Sequence, residues 1–154
     1  LDATGKDLTL TGRTELWASA VALIERRLLL GVGYLACWVQ GHADAELLWY
    51  MFGIESRGGF NFHNMFLSNA VETGLLGALL QTGLLLTTAA CTGLWAIRSG
   101  AAVPATLFAL CFVAVLGSVI EVPLFFQFSL RTVLVLAALI YAREALQRGH
   151  ARTV

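Results

Sequence analysis

Between Met65 and Ala142 the sequence carries only four charged side chains, Glu72, Arg98, Glu121 and Arg131. A water-soluble single-core domain cannot leave so long a stretch without charge, because its outer faces would have little to offer solvent. Three apolar runs fill the stretch: residues 65–97, 101–120 and 124–142. A bilayer core takes roughly 20 helical residues. The second and third runs fit one crossing each, and the first is too long. Residues 65–73, which include Asn69 and Glu72, therefore read as interfacial first turns, and the span proper begins near Gly74. The connections Arg98-Ser99-Gly100 and Glu121-Val122-Pro123 each contain a helix breaker, which predicts three antiparallel membrane helices. The rest of the composition agrees: 58% of residues are hydrophobic and 13% charged, against about a quarter charged in ordinary soluble domains. Ten Lys+Arg balance ten Asp+Glu, so no long-range field draws in nucleic acid.

Orientation follows from the basic residues. Arg98 follows the first helix, while Arg143, Arg148 and Arg152 follow the third, within a basic tail, residues 143–154. Three crossings put both groups on one side, which the positive-inside rule assigns to the cytoplasm. Residues 1–64 and the turn 121–123 then face the other side. The chain opens Leu1-Asp2-Ala3-Thr4, without an initiator Met or the basic-then-apolar start of a signal peptide, and reads as part of a longer protein.

Residues 1–64 hold most of the charge and no span. Leu16, Trp17, Ala20, Val21 and Ile24 recur at helical spacing after Thr11-Gly12 and before Arg26-Arg27. This predicts an amphipathic helix suited to a bilayer surface or to other helices. Residues 28–34, with Gly31 and Gly33, read as a turn back to the membrane surface. Residues 46–52 form a second short helix with Trp49, Tyr50 and Phe52 as interfacial aromatics, broken by Ser56-Arg57-Gly58-Gly59. Cys37, Cys91 and Cys111 are odd in number and widely spaced, as suits small apolar residues rather than a disulfide framework or zinc site.

The candidate site centres on His63-Asn64 at the mouth of the first long helix. An imidazole there meets the head group of a lipid-linked substrate, although taken alone a histidine in such a place is more often a plain interfacial side chain. Asn64 can cap the helix, leaving backbone N–H groups toward an anion. Gly74 and Gly77 share one helical face and permit close approach of a helix or lipid chain. Glu72 lines the substrate entrance or stays structural. Arg57 offers a second phosphate contact or is a solvated loop cation. Arg26 and Arg27 suit a helix C-terminus and anionic head groups. Arg131, eight residues into an apolar run, needs Glu121 as partner or must snorkel. His42, Asp44 and Glu46 alternate as metal ligands sometimes do, but a single His without a fixed scaffold makes a poor site.

The run His63-Asn64, nine residues, Gly74, two residues, Gly77 resembles the signature of the O-antigen ligase and polymerase superfamily, which also contains exopolysaccharide polymerisation proteins. Upstream, residues 11–17 (Thr-Gly-Arg-Thr-Glu-Leu-Trp) and 29–34 (Leu-Leu-Gly-Val-Gly-Tyr) resemble the stretch that precedes the histidine in that family. The resemblance covers roughly residues 9–80. It implies the C-terminal part of a larger multi-span bundle: the end of a large extracytoplasmic loop followed by three spans.

It further implies glycosyl transfer at the periplasmic face of the bacterial inner membrane. The donor is an undecaprenyl-diphosphate-linked glycan, and the acceptor a sugar hydroxyl on a glycan or lipid-anchored chain. The family's functional residues carry over onto His63 and Arg13. An imidazole can take the hydroxyl proton, and a guanidinium can pair with a departing diphosphate through two parallel hydrogen bonds. Attack opposite the diphosphate inverts the anomeric carbon, and neither a metal nor a cofactor is called for. Asn64, Arg57, Glu72, Gly74 and Gly77 are the expected substrate-binding positions. The expected architecture is thus all-α and integral to the membrane, with residues 1–64 extracytoplasmic, three transmembrane helices over 65–142 and a cytoplasmic tail. The isolated segment is expected to be inactive without the remaining N-terminal helices. A non-catalytic membrane scaffold or polysaccharide transport subunit is the alternative from another class.

Overall fold

The computed structural model describes residues 10–58, 60–124 and 129–151. Residues 1–9, Gly59, residues 125–128 and residues 152–154, which include Arg152 of the basic tail, lie outside the described residues. Five helices and no strand are present among those described: α1 (Leu10–Arg26), α2 (Ala43–Met51), α3 (Met65–Ser99), α4 (Ala102–Gly117) and α5 (Leu130–Ala151). The chain divides into two compact units, Leu1–Leu79 and Leu80–Val154.

The first unit is built on an aromatic core. Leu16, Ala20 and Leu23 from α1 bury with Ala45, Leu48 and Trp49 from α2 and with Phe52, Phe60, Phe62 and Val71. α1 forms where the apolar periodicity predicts, but its buried face is centred on Leu16, Ala20 and Leu23, leaving Val21 exposed. Trp38 is the hub of the rings, edge-on to Phe60 at 5.2 Å and tilted against Phe62 at 4.9 Å and Trp49 at 6.3 Å. This corrects the interfacial reading of residues 46–52. Trp49 and Phe52 are core residues, because the loop carrying Trp38 and Phe60 folds over them, and of the three aromatics only Tyr50 stays out, at 86% exposed. Burial, reinforced by the charges of Glu72 and Asp44, pushes the nearby Cys37 thiol up to about 12, so it behaves as a small apolar residue.

α3 is broken at Gly74, whose φ of 67° and ψ of −177° are not helical and belong to a region essentially reserved for glycine. A broken helix leaves carbonyls and amides without their usual partners. The segment after α1 supplies them. Val32 N–H donates to Val71 O and Gly33 N–H to Glu72 O, both at 2.9 Å, while Leu75 N–H donates to Leu28 O at 2.8 Å. Glu72 closes the clamp by accepting from Leu35 N–H at 3.1 Å through Oε2. Gly31 (φ 66°) lies so close to the Val71 and Glu72 carbonyls, and Gly74 to the Leu29 backbone, that neither place admits a Cβ. α3 thus breaks at Gly74, the position from which the sequence predicts the span proper, and the cause of the break is this docked loop. Gly74 and Gly77 consequently share no regular helical face. The first admits backbone of residues 29–30, and the second makes room for the Thr73 side chain, which is held by its bond to Asn69 O.

The clamp yields a stability prediction. Glu72→Gln keeps a carboxamide oxygen for Leu35 N–H, whereas Glu72→Leu strands that donor, which costs about 1–3 kcal/mol. Thermal denaturation of the full-length protein in detergent is expected to show a lowered midpoint for the leucine variant and a near-normal one for the glutamine variant. Equal midpoints would show that the bond contributes nothing.

In the second unit, the remainder of α3 has its buried hydroxyls satisfied internally: Thr88 donates to Leu84 O and Thr92 to Thr88 O, as helices in apolar surroundings require. Gly93 lets the Phe108 ring of α4 approach. α3 ends at Gly100 (φ 62°), whose N–H returns to Ala96 O. α4 packs on α5. α3 is the one helix among the described residues long and apolar enough to cross a membrane, and α4 is a shorter apolar helix. The third apolar run is displaced from its expected bounds. Its helix starts at Leu130, six residues late, and continues to Ala151 through good helix formers and the Glu144–Arg148 pair. Arg131 is therefore an exposed first-turn residue rather than a charge eight residues deep. It lines, with Glu121, an otherwise apolar cavity of about 470 Å³ between α4 and α5.

Candidate functional site

His63 sits in a short extended passage between the aromatic core and α3. Its φ is +47°, a left-handed conformation uncommon for residues other than glycine, though His, Asn and Asp visit it most readily. Two polar contacts fix that turn. Asn61 Oδ1 accepts from His63 N–H at 2.6 Å, an Asx-type turn. The Trp17 indole N–H donates to Phe62 O at 2.8 Å. The imidazole stands edge-on to Phe60 with ring centroids 6.0 Å apart, at the margin of the aromatic cluster. Asn64 caps α3 as expected, its Oδ1 accepting from Leu67 N–H at 3.1 Å and its carbonyl from Ser68 N–H at 2.9 Å.

The Trp17 bond also bears on Arg13, which α1 carries one turn earlier. Positions 13 and 17 are one helical turn apart on the same side of α1, and Trp17 is fastened to the residue before His63. Arg13 therefore lies one helical turn from the point where α1 is bonded to the residue before His63, although 50 positions separate the two in sequence. Its Nε is buried and has no hydrogen-bond partner among the described residues. A buried unpaired guanidinium donor is uncommon and calls for an explanation; an anion would satisfy it.

The remaining expected positions behave differently. Glu72 is buried and directed to Leu35 N–H, as part of the clamp. Arg57, also in a left-handed conformation (φ +47°), pairs through Nε with Glu46 at 3.4 Å while its side chain stays 60% exposed, beside an open depression formed with Trp49, Tyr50 and Ile54. Asp44 and Glu46 turn to separate partners: Asp44 to Arg26 at 2.9 Å, and Glu46 to Arg57 and Gly41 N–H. No cluster of three or more His, Cys, Asp or Glu side chains capable of holding a metal occurs among the described residues.

Two residues of the site were not singled out from the sequence. The periodicity places Trp17 on an apolar face, although an indole N–H normally finds a partner when buried. Asn61, two residues before His63, carries the turn-forming signal of its type. Ser68 and Asn69 are buried on the first turns of α3, with Ser68 Oγ and Asn69 Nδ2 lacking partners among the described residues.

Comparison with known proteins supplies the context. The family model described as O-antigen ligase matches residues 2–81. The exopolysaccharide production protein ExoQ of Rhizobium meliloti (strain 1021) is 54% identical over 87 residues. That alignment covers 56% of this chain and 20% of the relative, so the chain corresponds to about a fifth of the curated protein it matches. No solved structure matches the chain.

Proposed function

From the premise that the chain belongs to the O-antigen ligase family, we propose that the full-length protein transfers a glycan from undecaprenyl diphosphate to a sugar hydroxyl, in ligation or polymerisation of a surface polysaccharide. His63 acts as the general base. As the acceptor oxygen attacks the anomeric carbon, its proton passes to the imidazole. The bond from that carbon to the diphosphate oxygen breaks with its electron pair, undecaprenyl diphosphate leaves, and the anomeric configuration inverts. Arg13 pairs with the charge gathering on the diphosphate, the position where a fixed cation contributes most. Asn64 holds the start of α3, and with it the histidine turn.

In this reading α3, α4 and α5 cross the inner membrane, residues 1–64 are periplasmic, and the basic C-terminal residues are cytoplasmic. The remaining N-terminal helices of the full-length protein complete the donor site. The observation that best supports the assignment is the Trp17–Phe62 hydrogen bond, which ties the helix bearing Arg13 to the turn bearing His63. Arg57 joins the site only if a phosphate displaces Glu46 from it.

The test is the lipid-linked glycan pool in cells whose full-length protein carries Arg13→Ala. Transfer is expected to fall by about 10²-fold or more. Undecaprenyl-linked repeat units then accumulate and surface product is lost, while the protein still reaches the membrane. A changed sidedness of the pool would indicate a transport subunit, and an unchanged pool a scaffold; either overturns the proposal.

A further inference from the structure

The clamp that fills the break in α3 leaves its own tip uncovered. Leu28, Leu29 and Leu30 follow one another on a turn, and Leu29 and Leu30 are 69% and 73% exposed. Single exposed leucines are ordinary, but a contiguous apolar patch signals something that covers it. Here the patch continues onto α3. Leu28 O is bonded to Leu75 N–H, and the Leu29 backbone lies against Gly74. The turn therefore stands beside the exposed Leu75, Leu76 and Leu79, the first residues of the apolar helix beyond the break.

We propose that residues 28–30 insert into the acyl chains of the bilayer leaflet in which the α3 span begins. This rests on the reading of α3 as a membrane span.

Three observations favour lipid over another helix as the covering material. Large leucines fill the patch, whereas helix–helix contacts in membranes favour small residues. Irregular backbone at hydrocarbon depth must have its polar groups satisfied by protein, and the bonds from Val32 and Gly33 to Val71 and Glu72, and from Leu75 to Leu28, satisfy those at the break in α3 and at the two ends of the leucine turn. Arg26 and Arg27, both exposed, immediately precede the leucines, placing cations where lipid phosphates lie. Arg26 is partly engaged by Asp44, and its side chain remains 66% exposed. The loop thus fixes the depth of the histidine turn relative to the membrane, since it is hydrogen-bonded to the same short helical segment that Asn64 caps.

The experiment places a single cysteine at Leu29, Leu86 or Glu55 in the full-length protein, with the native cysteines replaced, and labels each with bimane in nanodiscs made with or without brominated phosphatidylcholine. Leu86 is an exposed residue within the span, and Glu55 an exposed loop residue of the first unit. Bimane at 29 is expected to lose fluorescence to brominated lipid as strongly as bimane at 86, and bimane at 55 to lose it only to aqueous iodide. Quenching at 86 but not at 29 would overturn the insertion while leaving the span intact, whether iodide or neither agent quenched position 29. Absence of lipid quenching at 86 as well would overturn both the span and the insertion.

Discussion

His63→Asn in the full-length protein is expected to lower glycan transfer by about 10²–10⁴-fold, the usual contribution of a general base, without lowering thermal stability. The choice of asparagine follows from the backbone. At φ +47° an alanine carries the left-handed penalty of roughly 1–2 kcal/mol, so a His63→Ala variant mixes lost chemistry with a strained turn. Asparagine is at home in that conformation and leaves the Asn61 and Trp17 contacts, which involve only main-chain atoms of residues 62 and 63, in place. It cannot accept a proton at neutral pH. Rates measured with purified protein and a lipid-linked donor, beside a denaturation midpoint, separate the two effects. Near-normal transfer by His63→Asn would remove the histidine from the chemistry. Loss of transfer together with a large fall in midpoint would instead assign it a structural role.

The strained positions are not scattered. Among the described residues, Leu35, Arg57 and His63 are the non-glycine ones with positive φ, and each sits at a junction near the candidate site: the Glu72 clamp, the loop before the histidine turn, and the turn itself. Strain persists where surrounding structure over-determines it and often marks function. Around His63 the over-determination is visible in the paired contacts from Asn61 and Trp17, and around Leu35 in the carboxylate of Glu72.

How much of this was legible beforehand depended on the range of the interaction involved. α1 and the start of α3 are local features: apolar residues at helical spacing, and an asparagine cap followed by an apolar run. Both emerge where the residues put them. Gly74 was readable as a boundary because polar Asn69 and Glu72 precede it, but its cause lies about 45 positions upstream in the loop that docks there. Trp49 and Phe52 looked interfacial because aromatic residues near a membrane segment usually are. Only the arrival of Trp38, Phe60 and Phe62 makes them core. Arg131 was misplaced for another reason: hydropathy marks apolar stretches and not helix starts, so it could not tell that α5 begins one residue before that arginine. At the candidate site, His63 and Asn64 are neighbours with a local signature, whereas the tie between α1, which carries Arg13, and the histidine turn depends on an indole bonding a carbonyl 45 residues away. No periodicity announces such a bond; the resemblance to a family pointed to Arg13 instead.

The clamp itself carries the second large effect. Gly74→Ala is expected to destabilise the full-length protein by about 3–5 kcal/mol, the range of severe single substitutions, enough to remove most of it from the membrane fraction. Two independent penalties combine there. An L-residue is strained at φ 67° and ψ −177°, and the new methyl would overlap the Leu29 carbonyl and Leu30 nitrogen, which are backbone atoms and cannot swing aside. Gly31→Ala attacks the same joint from the opposite side, against the carbonyls of Val71 and Glu72, and should behave alike. Gly83→Ala provides the contrast. That glycine lies within regular α3, and a methyl there meets nothing within 4 Å, so helix propensity makes the change neutral or stabilising by up to about 1 kcal/mol. Membrane abundance and denaturation midpoints of the three variants check the expectation. A Gly74→Ala protein that accumulates and melts like Gly83→Ala would mean that the break in α3 and its docked loop are dispensable. The histidine turn would then have to be held by the Trp17 and Asn61 contacts alone.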